Sequence, residues 1–205
     1  MKSCCDEKTA QSLAMTQAKT LKIVLLINAL MFVVEIGFGL LSHSTALLAD
    51  SLDMFGDAVV YGLSLYVLNR GLRWQAGTAI LKGSIMALFS FGILIDAIHK
   101  FIVQTLPVPE TMGIIGALAL VANATCLFLL FRHRSDDINM RSTWICSRND
   151  ILSNLGVLLA SVGVSLTQTN IPDVVIGGII SLIILGSSYG ILKEAKAKFS
   201  TKQSC

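Results

Sequence analysis

Asp50, Asp53 and Asp57 stand within one membrane-length apolar stretch, STALLADSLDMFGDAVVYGLSLYVL, that holds no Lys or Arg. A charged side chain near a bilayer centre costs about 2.5–3.5 kcal/mol on insertion scales. Three carboxylates there call for a proton, a partner or a bound cation. Residues four apart lie one above the other on a helix, so Asp53 and Asp57 share a face, and Asp50 joins it one turn away. Further on, Cys146 and Asp150 are again four apart, and Asn154 continues their row. Two antiparallel helices that each offer such a pair can close four ligands around one ion. Zinc favours four-coordinate binding by His, Cys and carboxylate. The candidate metal ligands are Asp53, Asp57, Cys146 and Asp150, with Asp50 and Asn154 as accessory positions. The competing reading is an acid paired with Arg or used as helix-packing glue. Arg148 lies two residues from both Cys146 and Asp150, which turns it to another face, and one Arg cannot neutralise four Asp.

The elements that must carry these residues are membrane helices. The chain is 54% hydrophobic and only 14% charged, with a mean hydropathy of +0.72, a membrane composition. Six stretches reach the roughly 20 apolar residues a span requires: 21–42, 45–68, 78–101, 111–132, 143–167 and 173–192. The expected fold is an all-α membrane protein of six transmembrane helices. A tail over 1–20 precedes the helical domain of 21–192, and a short basic tail over 193–205 follows it. The first apolar run is long enough to span and reads as an uncleaved first helix. Of the 16 Lys and Arg, 14 fall at one set of helix ends, leaving only Lys100 opposite and Arg148 inside the fifth stretch. That bias places both termini in the cytoplasm. The basic residues thus speak to topology, and no nucleic-acid partner is expected.

Asn28 and Glu35, seven apart in the first stretch, share a face, and Glu35 either lines a cation path or accepts a bond from a neighbouring helix. Asp96 and His99 fit an interfacial helix end better than a minor metal contact. His43 reads as a surface turn, and His133 as part of a solvated polar gap. Cys4, Cys5 and Asp6 form a polar N-terminal trio that could hold metal transiently in a reducing compartment. The five cysteines fit no disulfide or zinc-finger spacing. Gly37, Gly39, Gly177, Gly178 and Gly186 suit close helix approach. Pro172 and Asp173 read as a helix start, with the acid near the positive dipole end.

The segment STALLADSLDMFGD resembles the second-helix signature of the cation diffusion facilitators: a His or Asp, three residues, then Asp, after a Leu-Leu-Ala-Asp lead-in. Asp53 and Asp57 match its two metal-ligand positions, and Asp50 the acid three before. Asp150 matches the second ligand of the fifth-helix pair, and Cys146 falls where that family has His or Asp. Asn28, Glu35 and the Pro-Asp start of the sixth helix agree more loosely. The resemblance covers essentially the whole chain. It implies a secondary transporter, not an enzyme, that exports a divalent transition-metal cation from the cytoplasm by alternating access in exchange for protons. The implied setting is multi-pass, in the cell (inner) membrane of a bacterium. The metal is cargo, and no permanent cofactor is expected. The family usually carries a cytoplasmic ferredoxin-like domain after the sixth helix, and this chain ends before one, so a homodimer would form through transmembrane helix faces. Cys146 departs from the family pattern. Its thiolate shifts preference toward Zn²⁺ or Cd²⁺ and away from Mn²⁺ or Mg²⁺.

Two other classes compete. Asp50, Asp53 and Asp57 also resemble the metal-binding aspartates of the phosphatidyl-alcohol transferases. That signature continues with Gly and Ala-Arg, whereas Asp53 here is followed by MFGDAVVYG. The other alternative is a non-transporting membrane metal sensor or accessory subunit, which would leave cellular metal unchanged.

Overall fold

The architecture is that of a computed structural model, which describes residues 4–67, 72–132 and 138–200, and the side chains of 18–59, 61, 62, 65, 80, 81, 83–132, 147 and 150–193. All regular structure among the described residues is helical. The helices are α1 (Cys4–Leu41), α2 (Thr45–Val67), α3 (Leu72–Val103), α4 (Pro109–Phe131), α5 (Ile138–Thr167) and α6 (Ile171–Ser200). Several overrun the expected spans at their polar ends: α1 starts at Cys4, α3 at Leu72 and α5 at Ile138. Hydropathy marks the part of a helix that lipid covers, not where its hydrogen bonding stops.

Among the described residues, five helical segments are long and apolar enough to cross a membrane: Ala18–Leu41, Gly83–Val103, Pro109–Phe131, Asp150–Thr167 and Ile171–Lys193. The expectation of six spans is met for these five. Helix α2 matches α4 in length at 23 residues, but its three carboxylates set it apart. It nevertheless lies among the others, packed on α1, α3, α5 and α6. Helices α1, α2, α5 and α4 each touch the next around a ring, and α3 pairs with α6 beside it, joined through α2 and α5.

The periphery is apolar: Leu26, Leu30, Val33, Leu88, Phe128 and Leu166 are all exposed. Polar side chains are drawn inward, where Asn28, Glu35, Asp50, Asn123 and Asn154 are buried. Such an inverted arrangement suits a lipid solvent. One apolar cluster, including Leu47, Met112, Val157 and Ile184, lies beyond the acids, and another, with Val24, Tyr61 and Leu130, lies on their other side. Phe55 of α2 packs between Phe32 of α1 and Phe89 of α3, tilted against the first and edge-on to the second, with ring centroids 5.1 and 6.4 Å away.

Helices α1, α3 and α5 end near three short loops at one end of the bundle. His43, Gln104 and Gln168 each follow one of these helices with φ near +54°. This is the left-handed turn that closes a helix C-terminus, and His43 is exposed there as a turn residue. Asp96 pairs with Lys100 at 2.6 Å.

The start of α2 is anchored from a distance. Ser44 caps its own helix by accepting the Leu47 N–H at 3.1 Å. Its hydroxyl donates to Asp173 at 2.6 Å. The Asp173 carboxylate also accepts the Thr45 and Ala46 N–H groups at 2.7 and 3.0 Å. Asp173 therefore serves the N-terminus of α2 rather than only that of its own helix, which sequence position alone suggested. One turn along α6, a Cβ on Gly177 would lie 2.6 Å from the Thr45 carbonyl carbon and 2.7 Å from the Ala46 nitrogen. Only a glycine lets the two backbones meet there. Gly39 packs against Leu48, whereas Gly37, Gly178 and Gly186 have nothing within 4 Å and mark no close approach.

Candidate metal centre

Helix α2 distributes its acids along about 10 Å of axis between Asp50 and Asp57, at 1.5 Å per residue. Asp50 is buried, Asp53 and Asp57 are half-buried, and Asp150 of α5 is buried.

A hydrogen-bond chain fixes how α2 and α5 sit against each other. The Asn154 side-chain amide donates to both Asp50 oxygens, at 3.0 and 2.8 Å. Its carbonyl accepts from Asn123 of α4 at 3.1 Å. Asn123, Asn154 and Asp50 thus tie three helices together in the apolar interior. From this bond the register follows, because the helices are antiparallel and rise equally. Three steps along α2 reach Asp53, and four steps back along α5 reach Asp150. Four further steps on each helix reach Asp57 and position 146. Counted from that bond, Asp53 and Asp150 come within about one residue's rise of each other, as do Asp57 and position 146.

Asp57 accepts the Tyr61 hydroxyl at 2.6 Å, one turn along its own helix. Such a bond orients a carboxylate in the way outer-shell partners orient metal ligands. On α4, the buried Cys126 thiol lies within electrostatic reach of both Asp57 and Asp150. Its sulfur accepts the Asn28 amide at 3.8 Å. That amide also donates to the Val24 carbonyl at 2.9 Å.

Glu35 stands apart. It is fully buried, and neither of its oxygens accepts a hydrogen bond among the described residues. Its charged neighbours are Asp50 and Asp53, both of like sign.

The residues expected from sequence therefore fare differently. Asp50, Asp53 and Asp57 are spread along α2 and Asp150 lies on α5, with Asp57 and Asp150 both within electrostatic reach of Cys126. Asn154 has both ends of its amide committed to hydrogen bonds, so it braces Asp50. Asn28 braces Cys126 and the α1 backbone. The side chains of Cys146 and Arg148 lie outside the described residues, as do those of Cys4, Cys5 and Asp6, and all of His133 and Cys205. Among the described residues, no three His, Cys, Asp or Glu side chains are drawn close enough together to hold an ion. Sequence reasoning missed Tyr61, Asn123 and Cys126. Tyr61 had a signal, since it lies four residues after Asp57. Asn123 had another, as a lone amide in an apolar span.

The sequence profile of the cation efflux transmembrane domain matches residues 21–198. The chain is 26% identical over 193 residues to the zinc transporter ZitB of Yersinia pestis, covering 88% of this chain and 62% of that protein. It is 22% identical over 189 residues to the metal cation efflux system protein CzcD of Cupriavidus metallidurans, covering 86% and 60%. With the cadmium, cobalt and zinc/H(+)-K(+) antiporter of Bacillus subtilis it shares 24% identity over 194 residues, covering 85% and 62%. The chain spans less than two thirds of the length of these relatives.

Proposed function

The chain belongs to the cation diffusion facilitator family, and from that premise we propose that it exports a divalent transition-metal cation, Zn²⁺ or Cd²⁺, from the cytoplasm in exchange for protons. The family is one of transporters, not enzymes, so the lipid-transferase reading falls. The cation is cargo, held between Asp53 and Asp57 of α2 and Asp150 and Cys146 of α5. The observation that supports this reading is the Asn154–Asp50 bond, which holds together α2 and α5, the two helices that carry the ligand pairs.

Dication and protons compete for the same carboxylates, so metal binding releases protons and metal release lets them return. Exchange then needs no separate proton channel, only a site that opens to each side in turn. A sulfur at position 146 favours the softer Zn²⁺ and Cd²⁺. Helix α2 is the sixth span, enclosed by its neighbours, which shield its acids from lipid. The Lys and Arg bias sets both termini in the cytoplasm of a bacterial cell. A tail over 1–20 precedes the spanning domain, a basic tail over 193–205 follows it, and copies pair through helix faces.

The test is zinc and cadmium flux into inverted vesicles holding the chain, with and without an imposed proton gradient. Asp57→Ala should abolish flux and the accompanying proton movement. Undiminished flux in that variant would overturn the site. Flux by the parent chain that ignores the proton gradient would overturn the exchange.

A further inference from the structure

Asn123 of α4 is a buried amide that stands outside the four proposed ligands. In an apolar span an amide is costly unless it is bonded. Asn123 donates to the Asn154 carbonyl of α5 at 3.1 Å. The other end of the Asn154 amide donates to both oxygens of Asp50 on α2, at 3.0 and 2.8 Å. Asn154 is fully buried, so protein rather than water supplies both of its ends. An amide has nearly the same shape with oxygen and nitrogen exchanged, but only its nitrogen donates to a carboxylate. A donor placed on the Asn154 oxygen therefore fixes which end faces Asp50. Asn123 also extends a contact that is already close between α4 and α5. Gly116 lies seven residues before it, two turns back on the same face. A Cβ on Gly116 would meet Val157 at 3.1 Å, and one on Gly113 would meet the Ser161 hydroxyl at 3.0 Å. That hydroxyl donates to the Pro109 carbonyl at 2.8 Å. The two helices thus pack closely from the start of α4 down to Asn123.

We propose that Asn123 is a positioning residue for metal transport: through Asn154 it holds the α4–α5 pair against Asp50, and so sets the spacing of the two helices that carry the cation's ligands. From the Asn154–Asp50 bond, Asp53 follows three residues on along α2 and Asp150 four residues back along α5. Both lie on the same side of the bond, because the helices are antiparallel. Without the Asn123 donor, the Asn154 carbonyl is a buried acceptor left unmet, which costs free energy and is relieved by turning the amide. Turning it takes the N–H groups off Asp50 and loosens α2 from α5. Ligands held loosely bind an ion more weakly, since part of the binding free energy then goes into ordering them. This role rests on the transport reading, because it places the ion between α2 and α5.

The experiment measures Zn²⁺ affinity of the purified full chain by titration calorimetry, with thermal unfolding of the same samples. Asn123→Leu keeps the bulk and removes the donor. It should weaken Zn²⁺ binding by roughly 10-fold, the lower end of what lost outer hydrogen bonds cost a metal site. Asn154→Ala should weaken it at least as much. Added to Asn154→Ala, Asn123→Leu should weaken it no further, because the path to the site is already cut. A purely structural amide gives another pattern: the unfolding midpoint falls, while affinity is unchanged or falls equally in both backgrounds. Either of those results overturns the proposal. If Asn123→Leu does not fold, judged by circular dichroism, Asn123→Ser takes its place under the same outcomes. Its hydroxyl, one bond shorter, turns back to its own helix, as Thr125 does to the Val121 carbonyl at 2.8 Å. Asp57→Ala separates this failure from failure of the site. Undiminished Zn²⁺ binding in Asp57→Ala removes the site and the role of Asn123 with it. Binding lost in Asp57→Ala but untouched by Asn123→Leu keeps the site and removes the role of Asn123 alone.

Discussion

Removing the Asp173 carboxylate should loosen the second helix at its start. The change Asp173→Ala deletes the acceptor of three bonds, from the Ser44 hydroxyl and the Thr45 and Ala46 amides. Ser44 and Thr45 are fully buried and Asp173 is 1% exposed, so water does not readily replace what is lost. A helix cap alone is worth about 0.5–2 kcal/mol, and each buried amide left unmet adds about 1–3 kcal/mol. Ser44 still accepts the Leu47 amide, which limits the damage. The expected loss is about 3 kcal/mol, taking the low end because these effects overlap. At about 2–4 °C per kcal/mol for a chain of this size, the midpoint of thermal unfolding should fall by roughly 6–12 °C. Asp173→Asn keeps one acceptor oxygen and should lose roughly a third as much, about 1 kcal/mol. Thermal unfolding in one detergent gives the midpoint, and hydrogen exchange should show the Thr45 and Ala46 amides losing protection. If Asp173→Ala unfolds with the parent and those amides stay protected, the distant cap is not a stabilising contact.

Gly177→Ala forces a methyl into the Thr45–Ala46 backbone and should cost about 1–3 kcal/mol as an overpacking change, visible in the same unfolding measurement. Tyr61→Phe leaves Asp57 without its oriented donor. It should weaken metal binding by roughly 10- to 100-fold with little change in stability, as calorimetry would show. Cys146→His exchanges a soft ligand for a borderline one, so the ratio of cadmium to zinc flux in vesicles should fall. An unchanged ratio would take the sulfur out of the cation's shell.

The acids of the second helix were legible from sequence because charge inside a membrane-length apolar run has few explanations. Asp53, Asp57 and Asp150 were singled out that way, and the helix-face rule assigned Asp53 and Asp57 to one face of their helix. Periodicity names a face but not the neighbour that meets it. Asn154 therefore read as one more ligand in a row, although its amide is spent on Asn123 and Asp50. Asp173 read as a local helix start for the same reason, since its partners lie well over a hundred positions earlier. Glycines divided along this line too. Gly177 meets backbone and Gly178 meets nothing, a distinction set by which way α6 turns toward α2. That neither Glu35 oxygen accepts a hydrogen bond among the described residues could not be read from spacing, because it depends on what the neighbouring helices present.

The Asp173 contact also orders the making of the molecule. The chain emerges from its N-terminus, and Ser44 appears 129 positions before the carboxylate it will bind. Until the last helix is synthesised and threaded into the bilayer, the Thr45 and Ala46 amides lack the carboxylate they finally bond. Biogenesis would then end as a single closing step, in which the arrival of the last helix and the settling of the second are one event.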